Sequence, residues 1–570
     1  MRRRKVWQFQ AVRPESIQEV SDRHGLPPLV ARLLLNRGLA EPEEILAFLD
    51  PALESLHQPF GLVDLEVAAA RLGQAVRQKE PVAIYGDYDA DGLTATCLLR
   101  QFFTELGLPC FSYIPNRLEE GYGLNLPALK ELSGKARLLV TVDCGVSDVA
   151  EVAYARDQGL EVIVTDHHEI PPELPPALAV VNPKRRGHDY PFEMLAGVGV
   201  ALLLALGVRA RLREDGWFAR HPEPNLRAYL DLVALGTAAD VAPVVGENRI
   251  LIRQGLKVLS ETRRPGLVAL KEVVGLEGKP ISYRDLVFRL APRLNAAGRL
   301  GQALGALELL LSTDLSQARV QARYLHDLNR KRQSLEEEVL RQAGAIIRRE
   351  GLVKRGVLVL AQEGWHPGVL GIVAARLAEE YHRPVALVSL KDGQGRGSAR
   401  SVEGFHLFRG LESCASLLLK FGGHEAAAGF SVLAENLAAL QEELELAWAE
   451  QVGPQPPRPT LRVDAQVNLP DLDRNFYHHL ERLRPFGPGN PEPVFVCAGV
   501  DCLTSRVVAE RHLKLQICQE GCIREAIAFD RAAHHPLSGP LEVAFSTRFS
   551  YFNGKTTPEL HLLDWERSKE

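Results

Sequence analysis

The 570-residue chain is poor in the features that mark several large classes of protein. No apolar run reaches the ~18 residues that a membrane-spanning helix needs; the longest, Val198 to Val208, is short and broken by glycines. The first residues, Met1-Arg-Arg-Arg-Lys5, are basic but lead into polar Gln8 and Gln10 rather than an apolar stretch, so a secretory signal is not expected. The 8 cysteines include no CxxC pair and no framework-like spacing, which argues against a disulfide-stapled scaffold and fits a reducing, cytoplasmic compartment. The closest pair, Cys518 and Cys522, brackets Gln519-Glu-Gly521 and reads as two neighbours in a hairpin rather than as a metal site. Basic residues are not in excess: 67 Lys and Arg stand against 72 Asp and Glu, a net charge of -5. That removes a global electrostatic footprint for nucleic acid but not a local one, because steering depends on the field near the site. No internal repeat is present. What remains is ordinary globular composition, 46% hydrophobic and 24% charged, at a length that implies about three or four domains.

Proline breaks at Pro27-Pro28, Pro42 and Pro51 make residues 1–60 an irregular N-terminal cap. From 61 to 313 the pattern predicts a first domain. Its strands are Pro81–Tyr85, Cys110–Ile114, Arg137–Val142, Glu161–Thr165 and Leu178–Val181, with helices at Val67–Lys79, Thr94–Leu106 and Val149–Gln158 between them. Short apolar strands alternating with amphipathic helices predict a parallel sheet covered on both faces, with ligands at the carboxyl ends of its strands. Residues from Leu195 to about Leu310 read as mostly helical. Residues 314–350 hold no proline and one glycine, and read as a connecting helix between two lobes or as two helices bent near Gly344. A second α/β lobe, 351–452, carries strands Val357–Ala361 and Val385–Leu390 and a glycine-rich turn from Lys391 to Ser398. Gly453-Pro-Gln-Pro-Pro-Arg-Pro459 is the clearest linker, and the short alternating strands within 453–570 suggest a small β-barrel.

The chemistry gathers at strand ends. Asp87, Asp89 and Asp91 follow the first strand at alternate positions, Asp143 follows Leu138–Val142, and Asp166-His167-His168 follow Val162–Thr165. Asp240 closes the apolar run Leu235-Gly-Thr-Ala-Ala. A parallel sheet brings three of these groups to one edge, where so many carboxylates repel by several kcal/mol unless a cation intervenes. Oxygen ligands with one or two imidazoles suit Mn²⁺ or Mg²⁺, whereas thiolates would suit zinc. Gly395-Arg-Gly-Ser-Ala-Arg-Ser401, with two arginines and two hydroxyls, suits bidentate phosphate contact. Phe545 to Lys555 interleaves aromatics with Arg548 and Lys555, a base-stacking surface or a hairpin whose alternate rings fill the barrel. Leu195-Ala-Gly197-Val-Gly199 lacks the third glycine of a dinucleotide loop and reads as tight helix packing.

Taken together, Tyr85-Gly-Asp-Tyr-Asp-Ala-Asp-Gly92, Val142-Asp-Cys-Gly145 and Asp166-His-His168 resemble the DHH phosphoesterase superfamily. Gly364-Trp-His-Pro-Gly-Val-Leu-Gly371, Gly397-Ser-Ala-Arg-Ser401, Phe421-Gly-Gly-His-Glu-Ala-Ala-Ala-Gly429 and Arg484-Pro-Phe-Gly-Pro-Gly-Asn-Pro-Glu-Pro493 extend the resemblance, over nearly the whole chain, to its RecJ branch. The resemblance implies two α/β lobes, a DHH domain with a parallel sheet and a DHH-associated domain, followed by an oligonucleotide-binding (OB) barrel. It implies a single-strand-specific 5′→3′ DNA exonuclease that works in recombination and repair, with two divalent cations, Mn²⁺ or Mg²⁺, and releases 5′-mononucleotides. Single-stranded DNA is the implied partner, with a single-strand binding protein and a helicase as further candidates. The expected state is a monomer away from membranes, without the extra C-terminal domain of some longer relatives.

By the same resemblance, Asp89, Asp91, Asp143, His167 and Asp240 are the implied metal ligands, with Asp143 bridging two ions. Asp87 is a further ligand or a holder of its loop. Asp166 orients its neighbours, and His168 contacts the scissile phosphate or donates a proton. Arg117, Arg299, Ser398, Arg400 and His424 are the implied substrate contacts. Two other readings are a DHH phosphoesterase of short oligoribonucleotides, cyclic dinucleotides, pyrophosphate or polyphosphate, and a catalytically silent DNA-binding scaffold. The terminal barrel disfavours the first, and the complete set of carboxylates and histidines disfavours the second.

Overall fold

The structure, a computed structural model, describes residues 5–187, 189–453, 458–552 and 555–567. Its contacts divide the chain into two compact units. One contains His57–Ala242 and Gln254–Arg458; the other contains Pro243–Arg253, the residues up to Leu56 and those from Pro459 onward.

The first unit holds two sheets. In the first, five parallel strands lie in the order Cys110–Tyr113, Val82–Gly86, Leu138–Val142, Glu161–Thr165, Ala179–Val181. The central strands are buried on both faces, which is why they read as continuous apolar runs rather than alternating ones. Ala83, Tyr85, Leu139, Val162 and Val164 meet the helices Leu126–Ser133 and Val149–Asp157 on one face. Helices Leu65–Gln78, Ala90–Glu105 and Gly197–Glu214 pack on the sheet as well. Truncating a core leucine such as Leu139 to alanine costs about 2–5 kcal/mol by the general rule for such sites.

The connecting segment is one helix, Leu315–Arg349, capped by the Asp314 side chain on the Gln317 amide at 2.7 Å. Gly344 is buried inside it, and the helix continues through that position without interruption. The second sheet runs Leu418–Gly423, Ala427–Leu433, Gln394–Arg400, Val385–Lys391, Leu358–Glu363, parallel only between its last two strands. The expected glycine-rich turn is therefore corrected: Gln394–Arg400 is a strand, and only Asp392-Gly393 turns, both at positive φ. Gly395 and Gly397 answer to packing instead. A methyl group on Gly397 would lie 2.3 Å from the Phe430 ring, and one on Gly395 2.6 Å from a Val388 methyl. Three glycines in five residues suggest a loop, but the two neighbouring strands explain two of them.

The second unit is a β-barrel with N-terminal helices Pro14–His24, Pro28–Asn36 and Pro42–Leu49 sharing its core. Its strands Phe495–Val508, Gly539–Phe552 and Lys555–Arg567 are longer than the sequence suggested, and the Phe495–Val508 to Gly539–Phe552 pairing closes the sheet. Cys518 and Cys522 sit at the expected hairpin, with Gln519 opposite Cys522 and positive φ at Glu520 and Gly521; all eight cysteines are free. Phe545 fills the barrel core, Arg548 pairs with Glu492 at 2.8 Å, and Phe549 stays 38% exposed against the Tyr477 ring. The side chains of Tyr551 to Lys555, the rest of the suggested stacking surface, lie outside the described residues. Among the described residues no helix is long and apolar enough to cross a membrane.

Candidate metal centre

The parallel sheet delivers its carboxylates to one edge as the alternation predicts. Asp89 caps the helix Ala90–Glu105, its Oδ1 accepting the amides of Asp91 at 2.8 Å and Gly92 at 3.1 Å. Gly92 is required by a close approach, since a methyl group there would lie 2.6 Å from the Asp87 carbonyl oxygen. Asp143 ends its strand at φ 61°, a left-handed conformation that costs a non-glycine residue and is typical of functional sites. Asp240 follows the helix Leu230–Ala239.

Three overlapping sets of side chains place their ligand atoms within 4.8 Å of one another: Asp91, His167 and Asp240; Asp87, Asp89 and Asp143; and Asp143, His167 and His168. Asp143 belongs to two of them, as a residue between two ions would. His167 Nε2 stands 3.0 Å from Asp143 Oδ1 but forms no hydrogen bond with it, and Asp87 Oδ1 and Asp143 Oδ1 are likewise buried without a hydrogen-bond partner. Buried polar atoms are almost always paired, so three orphans facing one another in an anionic pocket have the chemistry of a cation site. Five carboxylates and an imidazole are a donor set suited to Mn²⁺ or Mg²⁺.

Electrostatics agree. Burial, followed by the charge of Asp240, raises the pKa of Asp91 to about 7; burial, followed by the charge of Asp89, raises Asp240 to about 7. Asp87 and Asp143 are pushed well above the usual carboxylate range by burial and then by their acidic neighbours. Burial lowers His167, keeping it a neutral imidazole able to donate a lone pair. Such a cluster is costly unless positive charge enters it.

Asp166 has no free oxygen to offer. Its Oδ1 accepts the amides of His167 at 2.8 Å and His168 at 3.1 Å and lies 2.7 Å from His168 Nδ1, while Oδ2 accepts the Val146 amide at 3.0 Å. Burial works against its ionisation, yet those hydrogen bonds prevail and its pKa falls. Burial also disfavours the His168 cation, but the Asp166 bond and charge outweigh it and raise His168 to about 8.

Three neighbours of the site escaped the sequence reading. The Tyr122 hydroxyl donates to the Asp143 carbonyl at 3.2 Å and stands 3.1 Å from His168 Nδ1. Gly197 and Val198, read as packing residues, donate their amides to Asp91 at 2.6 and 2.9 Å from the start of the helix Gly197–Glu214. A helix N-terminus favours negative charge, so this one steadies Asp91. An alternation of Gly with apolar residues gave the only signal, and it was ambiguous.

The arginines assemble separately. Arg117, Arg299, Ser398 and Arg400 line a cavity of about 240 Å³ with Tyr88 and with Arg396, the other arginine of the Gly395–Ser401 segment. Arg117 lies 5.1 Å from the centre of the Tyr88 ring. Burial and then the charge of Arg117 lower the pKa of Arg299 to about 10, and the same causes lower Arg400, so the pocket is short of negative charge. His424 is not among its lining; it is exposed at the hairpin after Gly423, its amide on the Ala427 carbonyl at 2.8 Å.

An acidic metal edge and an arginine cavity in one two-lobed unit define a DHH-type phosphoesterase architecture, and comparison with known proteins agrees. Residues 81–237 match the DHH family N-terminal domain, 354–450 the DHHA1 domain and 463–564 the RecJ OB domain. The chain belongs to the RecJ family. It is 34% identical over 98% of its length to the single-stranded-DNA-specific exonuclease RecJ of Bacillus subtilis, covering 70% of that protein. It is 38% identical over 88% of its length to the Haemophilus influenzae protein of the same name, covering 89% of it. The crystal structure of Thermus thermophilus RecJ in complex with Mn²⁺ superposes with a TM-score of 0.85 at 33% identity, over 99% of this chain and 80% of that one.

Proposed function

We propose that the protein is a metal-dependent, single-strand-specific DNA exonuclease that degrades strands from the 5′ end, releases 5′-mononucleotides and serves recombination and repair. The observation that carries this reading is the trio of buried, unpartnered atoms, Asp87 Oδ1, Asp143 Oδ1 and His167 Nε2, in a chain whose relatives are named for that activity.

Asp89, Asp91, His167, Asp240, Asp87 and Asp143 would hold two divalent cations, Mn²⁺ or Mg²⁺, with Asp143 between them. Two such cations supply charge neutralisation for the phosphate and a water of lowered pKa. Asp166 fixes the His168 ring, and the raised pKa keeps an imidazolium available near neutral pH. His168 would give its proton to the departing 3′-oxygen as the P–O3′ bond breaks, while the attacking water oxygen bonds to phosphorus and releases its own proton to solvent, from which His168 is reprotonated. The Tyr122 hydroxyl holds the same ring from its other neighbour, the Asp143 carbonyl. Arg117, Arg299, Ser398 and Arg400 bind the terminal 5′ phosphate, which fixes the direction of attack; His424 contacts the strand outside that pocket. The barrel contributes to binding of the single strand, and single-strand binding protein and helicase supply it.

Mn²⁺ titration by calorimetry, paired with digestion of strands labelled at either end, tests the reading. Two sites per chain and immediate release of the 5′ label as a mononucleotide are expected. Release of the 3′ label first, or hydrolysis undiminished in EDTA, would overturn it.

A further inference from the structure

One short helix, Ala291–Arg299, lies against both the carboxylate loop and the arginine pocket, and is entered through a single π-helical turn at Leu286–Leu290. Such turns are rare and recur near functional sites. At one end of its reach, Asn295 Oδ1 accepts the amide of Ala90, within the carboxylate loop, at 2.7 Å. Gly298 sits so close to the same loop that a methyl group on it would lie 2.4 Å from the Tyr88 carbonyl oxygen. One residue on, the contact changes lobes: a methyl group on Gly368 would lie 2.3 Å from the Arg299 carbonyl oxygen, and Arg299 Nη1 donates to the Gly368 carbonyl at 3.4 Å. Gly368 opens the helix Pro367–Tyr381, and a turn later Gly371 makes room for Arg400 Nη2 and Ser398 Oγ, 2.8 and 3.0 Å from where its methyl would be.

Neither Gly298 nor Gly368 has positive φ, so backbone freedom does not account for them. Both face main-chain carbonyls, which cannot rotate away as a side chain can. Two adjacent residues, Gly298 and Arg299, thus hold the carboxylate loop on one side and the pocket-bearing helix on the other at the closest approach that main chain allows.

We propose that this last helical turn is a spacer, with Gly298, Gly368 and Asn295 as positioning residues that hold the arginine pocket at a fixed distance from the carboxylates and so set which phosphodiester is cut. The proposal rests on the reading of the pocket as the terminal-phosphate site. A methyl group on Gly368 must push Arg299 back by about 1 Å to restore ordinary contact, and misplacement on that scale can cost as much as about 10²-fold in rate.

The test is single-turnover cleavage, in Mn²⁺, of matched 5′-phosphorylated and 5′-hydroxyl single strands by the full chain. The variants are Gly368→Ala, Asn295→Ala and, as a control, Gly305→Ala, where a methyl group meets nothing within 4 Å. The ratio of the two rates should fall about tenfold or more in Gly368→Ala and less in Asn295→Ala, with products longer than a mononucleotide appearing, and stay unchanged in Gly305→Ala. Asn295→Ala adds no atom and reports even if Gly368→Ala fails to fold. Equal losses on both substrates, or a preserved ratio, would overturn the spacer alone. A wild type indifferent to the 5′ phosphate would remove the pocket reading and the spacer with it.

Discussion

The carboxylate edge and the arginine pocket are opposites built on one principle. Each concentrates charge of a single sign where burial makes that charge expensive, and in each the opposing charge nearby falls short of offsetting it. At the edge, Asp91 and Asp240 are lifted to about 7; in the pocket, Arg299 is lowered to about 10. The edge calls for cations and the pocket for an anion, and under the proposed reading a metal-bound phosphodiester strand with a terminal phosphate would satisfy both. They differ in construction. Apart from Asp240, which follows a helix, the edge comes from neighbouring strand ends of one sheet, whereas the pocket draws on segments nearly 300 residues apart, from Arg117 to Arg400.

Breaking the edge should have the largest effect. Asp143→Ala should reduce hydrolysis to background while the thermal midpoint holds, as followed by melting and by strand digestion; turnover like that of the wild type at full metal occupancy would contradict the assignment. Asp166→Asn leaves every ligand in place but loosens His168, and should lower kcat by about 10–100-fold. Breaking the pocket should act on recognition instead. Arg400→Ala removes charge-assisted hydrogen bonds of about 1.5–3 kcal/mol, which raises KM for 5′-phosphorylated strands by about 10–100-fold and leaves 5′-hydroxyl strands nearly unaffected.

The smallest effect concerns stability without metal. Asp91 and Asp240 have folded pKa values of about 7 against an ordinary 3.8, so the folded state favours their protonated forms. That contribution is complete below pH 3.8 and is lost as pH rises through 7. In EDTA, the wild type should therefore lose melting temperature relative to Asp91→Asn as pH goes from about 4 to 7, and Mn²⁺ should restore it. An unchanged difference between the two across that window would show that the edge is not strained by its own charge.

The comparison also explains what could be read in advance. The sheet was legible because buried parallel strands are continuous apolar runs, and the edge because Asp87 to Asp91, Asp143 and Asp166 each sit one step past such a run. Tyr122 was not legible: nothing local tells that a loop tyrosine returns to His168 from 46 residues away. The same holds for Gly197, whose amide serves Asp91 across 106 residues. Gly395 and Gly397 misled because a glycine that makes room for a side chain of a neighbouring strand looks, in sequence, like a glycine needed for a turn. Local chemistry is written in local spacing, while the distant groups that hold it in place come from the fold.

The most direct measurement is digestion of matched 5′-phosphorylated single-stranded and blunt duplex DNA by the wild type and Asp143→Ala, with Mn²⁺ or EDTA, followed by identification of every product. The account predicts 5′-mononucleotides from the single strand alone, only with Mn²⁺ and only from the wild type. Intact strands despite bound Mn²⁺ and tight strand binding, or cleavage confined to cyclic dinucleotides and very short oligoribonucleotides, would contradict it.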